Sequence, residues 1–249
     1  MSRVITLLTD FGTADGYVGE MKGVLVMTAP DCPLIDIAHD LPPQDVESGR
    51  LTVARYWQRF PVGTIHIVIV DPGVGGARAG IIVESEGRLL IGPDNGVLSP
   101  ALLHPGARCV SLPVARSASP TFHGRDVFAP AAAQLVHGIS LDALGVAFTE
   151  PVVRRTPEAT RRADGATSGV VITIDRFGNV VTNLVARRGG TVELAGRTIP
   201  VARTYEDVAP GECVAVVGSS GLVEVAVREG SAARDLGVVR GDSVVLRSS

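Results

Sequence analysis

Residues 70–78, Val-Asp-Pro-Gly-Val-Gly-Gly-Ala-Arg, set an acid and an arginine at the two ends of a loop with three glycines. The stretch just before, Thr-Ile-His-Ile-Val-Ile-Val at 64–70, is short and apolar and reads as a buried strand. A glycine-rich loop after a strand usually suggests phosphate binding. Here, however, no Gly-Lys-Ser/Thr ends the loop, and no Gly-x-Gly-x-x-Gly opens a helix. Asp71 before Pro72 and Gly73 can be a turn former with Arg78 its surface partner, or the loop can hold something other than phosphate. The residues alone leave both readings open.

Three further polar clusters lie where an α/β site belongs, just past strand ends, or at turns near the C-terminus. In Thr-Asp-Phe-Gly-Thr-Ala-Asp-Gly-Tyr (9–17), Asp10 ends the opening strand and suits a ligand carboxylate that accepts both hydroxyls of a ribose. Asp15 reads as a turn acid or cap near the next helix. In Thr-Phe-His-Gly-Arg-Asp (121–126), His123 sits at a loop-to-helix junction, where a histidine is structural or catalytic. His39, His66, His104 and His137 read as structural or solvated. In the C-terminal part, Asp175-Arg-Phe-Gly-Asn179 is either a hairpin turn or a ligand contact, and Ser219 and Ser220 offer loop hydroxyls to a carboxylate. No cluster has zinc-ligand spacing or a nucleophile-elbow serine, so neither a metal nor a serine nucleophile is expected.

The elements that must position these residues change character along the chain. Segments 4–9 and 64–70 are branched and apolar, as strands buried on both faces are. Tyr17, Met21, Val24, Leu25 and Thr28 recur at helical spacing, and Val46 to Trp57 predicts a second helix. A strand pair is expected around Glu86-Gly87, and an alanine-rich helix after His123. The alternation predicts an α/β domain with a largely parallel sheet over residues 1–153. Residues 154–167, polar and arginine-rich, read as a linker. Short strands with glycine turns over 168–249 predict a smaller all-β domain, a barrel or sandwich.

Composition bounds the function class. The 249 residues, 45% hydrophobic and 20% charged, allow two domains with real cores. A formal charge of −3 supplies no field for nucleic acid or anionic membrane. Cys32, Cys109 and Cys213 are too scattered for a disulfide framework, and the N-terminus has neither a signal peptide's pattern nor a membrane span, so a cytoplasmic protein is expected.

Taken together and in order, from Thr-Asp-Phe-Gly at residue 9 to Gly-Ser-Ala-Ala at 230–233, the clusters resemble the S-adenosyl-L-methionine (SAM) hydroxide adenosyltransferases, relatives of the fluorinase and chlorinase. The resemblance implies an α/β N-terminal domain, a C-terminal β-barrel, and a homotrimer with each site between one subunit's N-domain and its neighbour's C-domain. It places the water-handling residues on Asp71, Arg78 and His123. It gives Asp10 the ribose hydroxyls, Asp175 the methionine ammonium, Asn179 the adenine edge, Ser219 the methionine carboxylate, and the backbone near Val227 a contact with adenine. Where the fluorinase has arginine, this chain has Ser220, which alters the carboxylate contact. SAM would be the substrate, adenosine and methionine the products, with no cofactor.

The chemistry implied is displacement at the ribose 5′ carbon by water. Asp71 would accept the proton, directly or through His123, while Arg78 keeps Asp71 ionised and fixed in direction. The glycines would let the loop backbone approach the substrate closely. A halogenase on the same scaffold has a tyrosine in place of the acid, and Asp71 opposes a halide. A SAM- or adenosine-binding regulator without turnover, or a purely structural oligomer, are the other readings left open.

Overall fold

Every residue from Ile65 to Ile69 is buried, and the side chains alternate between two apolar clusters. A strand covered on both faces requires such a run. In the computed structural model, which describes residues 3–186 and 189–247, this strand lies inside a seven-stranded sheet. The elements of this part are β1 (Ile5–Thr9), α1 (Tyr17–Thr28), β2 (Leu34–Ala38), α2 (Val46–Tyr56), β3 (Ile65–Ile69), β4 (Gly80–Ser85), β5 (Arg88–Pro93), α3 (Ser99–Leu102), β6 (Arg108–Leu112), α4 (Ala129–Val136), α5 (Leu141–Leu144) and β7 (Val146–Ala147). The strand order is β2-β1-β3-β5-β4-β6-β7. The β2, β1, β3 and β5 strands run parallel, and β4, β6 and β7 extend the sheet by antiparallel pairings.

Met21 and Leu25 of α1 and Phe128 with the alanines of α4 pack on Ile65, Ile67 and Ile69. Val53 of α2 and Leu98 pack with Val68 and Val70 on the other face. Helix α2 starts where Asp45 accepts the Ser48 N–H at 3.1 Å, a side-chain N-cap. The expected strand pair is β4–β5. Its two-residue turn puts Glu86 and Gly87 at φ 47° and 70°, the left-handed pair that matches strand twist in a tight hairpin.

The chain divides into two compact units between Arg154 and Arg155. In the second unit the strands are β8 (Thr160–Arg161), β9 (Thr167–Ile174), β10 (Val180–Thr182), β11 (Thr191–Leu194), β12 (Arg197–Ala202), β13 (Cys213–Val217), β14 (Val223–Val227) and β15 (Ser243–Arg247), and the short helix α6 (Ala232–Leu236) follows β14. Seven of them close into a ring, β10-β14-β13-β12-β11-β15-β9, through the β9–β10 pairing, and β8 is appended to β9. Val171, Val192, Val223, Val225 and Leu246 fill its interior. Closure removes the open edges that a sandwich would leave.

The stretch 154–167, expected as a linker, is more structured than its polar composition suggests. Arg154 donates to Asn95 O at 2.9 Å and takes Ser99 Oγ on its backbone N–H at 2.8 Å, so it belongs to the first unit. Thr160 and Arg161 pair with Ser168 and Thr167 across a turn at Gly165. Side-chain–backbone hydrogen bonds hold the first and strand pairing the second, and neither shows in a hydrophobicity pattern. Among the described residues no helix is long and apolar enough to cross a membrane.

One polar residue interrupts the apolar β3 run. His66 is fully buried between the rings of Tyr56 and Phe60, at 5.3 and 5.6 Å, with Nδ1 2.7 Å from Thr6 Oγ1. Burial, then the positive charge of Arg88, pushes its pKa down to about 3. In the unfolded chain it titrates near ~6.5. Its neutral form therefore supports folding fully above that value, and the support is lost as pH falls from there towards 3. Between pH 7 and 5 this single group should remove about 2 kcal/mol of stability. Urea unfolding of wild type and His66→Leu at both pH values checks it: the variant's pH slope should be shallower by that amount. Equal slopes would mean that His66 does not resist protonation.

Candidate active site

Strand β3 ends at Ile69, and the chain leaves the sheet through Val70, whose carbonyl accepts from Asn95 Nδ2 at 2.8 Å. The loop then doubles back through successive turns, Val74 N to Asp71 O and Gly76 N to Gly73 O, which returns Arg78 beside Asp71. Arg78 Nε donates to Asp71 Oδ1 at 3.0 Å and Nη2 donates to Oδ2, a bidentate pair. The two side chains are 9% and 5% exposed, and the guanidinium lies 5.5 Å from the centre of the Phe128 ring. Nη2 also donates to Nδ1 of His123, 2.9 Å away and itself buried. The structure thus brings Asp71, Arg78 and His123 together from two separate loops. Burial, followed by the charge of Arg78, holds the His123 imidazole below its usual range, with Asp71 and Asp126 opposing.

His123 precedes a π-helical turn, Gly124–Phe128, that leads into α4. A Cβ on Gly124 would come within 3.1 Å of both Ile69 Cδ1 and Met21 Sδ, so glycine lets this turn press against the end of β3. Asp126 accepts from Ser119 N at 2.8 Å and from Arg125 Nε at 2.7 Å, tying the approach to His123 in place. Two of the loop glycines serve packing within the chain. Gly75 has φ 74°, and a Cβ there would lie 2.1 Å from Pro120 O. Its bareness serves the docking of the Asp71 loop on the His123 loop, and Gly73 likewise faces the Arg78 side chain at 3.3 Å.

Asp10 follows β1, which is parallel to β3 with Thr9 opposite Ile69, so Asp10 and Asp71 leave the sheet at the same edge. Asp10 Oδ2 accepts the Gln44 N–H at 2.7 Å, and Gln44 holds a left-handed φ of 66°, a costly conformation for a residue with a side chain. Asp15 is exposed. Phe11, Tyr17 and Phe122 meet edge to face with centroids 5.3 to 6.1 Å apart, and they wall a cleft of about 390 Å³ with Glu20 and Arg125.

In the second unit, Asp175 and Asn179 are joined. Asp175 Oδ1 accepts the N–H groups of Phe177 and Asn179, and Oδ2 accepts Asn179 Nδ2, all at 2.9 Å. The hairpin-turn reading of these residues is thereby realised; a ligand contact would use their remaining lone pairs. Val227 is buried at the end of β14 on the same side, since Val180 lies opposite Val225. Ser219 and Ser220 are exposed in the β13–β14 turn, at the other end of β14. The structure therefore splits these five residues into two groups a strand's length apart. Between them, Glu224 is 8% exposed and accepts from Tyr205 Oη at 3.3 Å.

Sequence reasoning missed the supports: Asn95, Pro120, Asp126 and Phe128. Only the Arg-Asp pair directly after His123-Gly124 carried a signal. The rest depend on tertiary approach.

Two family models match the chain: the SAM hydroxide adenosyltransferase N-terminal domain over residues 5–145 and the corresponding C-terminal domain over 169–245. A Thermus thermophilus protein named (R)-S-adenosyl-L-methionine hydrolase is 42% identical, covering 98% of this chain and 99% of its own length. A Nocardia brasiliensis protein named fluorinase is 28% identical over 98% of this chain and 96% of its own. A crystal structure of an uncharacterized conserved protein from Thermotoga maritima superposes with a TM-score of 0.89 at 30% identity, covering 98% of this chain and 99% of that one.

The docking of the two loops is testable by urea unfolding. Gly16 also has a left-handed φ, 78°, but nothing lies within 4 Å of its would-be Cβ. Gly16→Ala should cost the about 1–2 kcal/mol of a left-handed alanine. Gly75→Ala should cost about 1–3 kcal/mol more, from overpacking against Pro120. Equal losses would show that the loops are not in contact.

Proposed function

The chain belongs to the SAM hydroxide adenosyltransferase family, and from that premise we propose that it hydrolyses S-adenosyl-L-methionine to adenosine and L-methionine. The observation that carries the reading is the buried Asp71–Arg78–His123 set. SAM already contains its leaving group, because displacing the sulfonium releases a neutral thioether. What the reaction lacks is a nucleophile held behind the 5′ carbon, in line with sulfur. A fixed carboxylate with a cation and an imidazole at its side suits one water. The fluorinase match is weaker than the hydrolase match, 28% against 42% identity. The names of the hydrolases specify the R-configured sulfonium, which we take as this chain's substrate.

We assign Asp10 to the ribose hydroxyls, Asp175 to the ammonium, Asn179 and the backbone near Val227 to adenine, and Ser219 with Ser220 to the methionine carboxylate. These assignments rest on the family resemblance. SAM enters as substrate, and the mechanism calls for no cofactor. The proposed assembly is a cytoplasmic homotrimer, each site completed by a neighbour's barrel. The assigned residues fall in both units, which is what a shared site needs.

In water enriched with heavy oxygen, the label should enter the 5′ hydroxyl of adenosine and not methionine. Added chloride or fluoride should give no halogenated nucleoside. Free adenine as main product, or unlabelled adenosine, would overturn the reaction.

Asp71→Asn should lower turnover by at least about a hundredfold while SAM affinity changes little, as loss of a positioned base does. Asp175→Ala should weaken binding instead. Mixed Asp71→Asn and Asp175→Ala subunits should regain activity if sites are shared between chains. No recovery would mean that each site closes within one chain.

A further inference from the structure

Behind Asp10 runs a chain of hydrogen bonds that ends on His39. Strand β2 pairs with β1 in parallel, with Leu7 opposite Asp36, but the register then skips Ile37 and sets Leu8 opposite Ala38. A bulge of this kind re-aims the residues beyond it and is rare between parallel strands. Here it brings His39 level with Thr9, the residue before Asp10. Both side chains are buried, and His39 Nδ1 lies 2.8 Å from Thr9 Oγ1.

The groups at either end give these bonds a direction. His39 Nε2 stands 3.0 Å from Asp36 Oδ1, a contact without hydrogen-bond alignment. Burial pushes the Asp36 carboxyl up, yet Lys22, 2.6 Å from Oδ2, and then His39 hold it below its usual range. A bare ring nitrogen beside that carboxylate would set lone pair against lone pair, so Nε2 carries the proton. In a neutral ring Nδ1 then accepts, and the Thr9 hydroxyl donates to it. The Thr9 oxygen in turn accepts the Phe11 N–H at 3.2 Å. From the backbone, the His39 carbonyl accepts the Gly12 N–H at 2.8 Å. One residue thus ties the chain on both sides of Asp10, while the Gln44 N–H holds the carboxylate itself.

A carboxylate receives two adjacent hydroxyls only if its plane is held towards them. Resting on the assignment of Asp10 to the ribose hydroxyls, we propose that His39 is a positioning residue for substrate: through Thr9 and the Gly12 N–H it sets the direction of Asp10, and with it the recognition of the ribose. A histidine that merely filled space behind β1 would affect stability without regard to the hydroxyls a ligand carries. The two roles therefore separate in binding.

Calorimetric titration with adenosine and with 2′-deoxyadenosine tests the proposal, because the two probes differ by one ribose hydroxyl. The wild type should bind adenosine more tightly by about tenfold or more, as a hydrogen bond to a charged group implies. Asp10→Ala and His39→Ala should each bring that ratio close to unity. Thr9→Val, which keeps the side-chain shape and removes the hydroxyl, should lower it several-fold. His39→Asn should retain most of it, since an amide oxygen can accept from Thr9 where Nδ1 does. A wild-type ratio in His39→Ala and Thr9→Val proteins that melt cooperatively, beside a lost ratio in Asp10→Ala, overturns the role of His39 alone. No preference in the wild type overturns the ribose assignment and the role of His39 with it. Adenosine formation from SAM is measured alongside: its absence sinks the hydrolase reading, while the ribose preference still reports on His39.

Discussion

Asp71 and Arg78 meet inside the N-terminal unit with 5% and 9% of their side chains exposed, and that burial dictates much of what surrounds them. Removing both charges from water costs several kcal/mol per ion, and only good geometry offsets it. Two parallel hydrogen bonds supply that geometry, but they require the chain to reverse within seven residues. The turns at 71–74 and 73–76 achieve the reversal, and the left-handed Gly75 lets the loop tip lie against Pro120. That contact brings the His123 loop within reach of the same guanidinium. Phe128 closes the other side as a flat apolar floor. One ion pair thus sets the course of two loops.

The scaffold makes this burial possible by holding both loops on rigid supports. Parallel β1 and β3 deliver Asp10 and Asp71 to one sheet edge, in a register fixed by strands whose every residue is buried. A one-residue slip would exchange the faces of all these side chains. The bare Gly124 seats the turn after His123 directly on Ile69, the last residue of β3. The Asp71 loop and the His123 loop therefore share one anchor point. Neither needs the other unit for its position.

Much of this was legible in the sequence, and the boundary has a physical cause. Ile5–Thr9 and Ile65–Ile69 are unbroken runs of buried residues, Tyr17–Thr28 carries helical spacing, and Glu86-Gly87 carries its turn chemistry. The barrel strands were readable as short apolar runs, whereas their closure through β9–β10 was not, because pairing partners leave no local trace. Strands β2, β6 and β7 lie towards the sheet edges, partly exposed and weakly patterned, and escaped notice. Within the site, residue types pointed to Asp71, Arg78 and His123. The packing of Gly75 on Pro120 was not legible, since a glycine's neighbour is known only once the chain has folded. For Asp175 and Asn179 the hairpin turn was anticipated, but the hydrogen bonds that each gives the other were not.

Net charge alone does not distinguish water from halide at such a site, for the Asp71–Arg78 pair is neutral as a unit. Hydrogen-bond polarity does. A nucleophilic water needs an acceptor for its proton, and Asp71 keeps lone pairs beyond the two that Arg78 uses. A halide needs donors on every side. Beside Asp71 it would face carboxylate lone pairs with no hydrogen between them. The family resemblance sets a tyrosine in the halogenases where this chain has Asp71, and a phenol can donate where a carboxylate cannot. Exchanging that residue reverses the direction of a hydrogen bond.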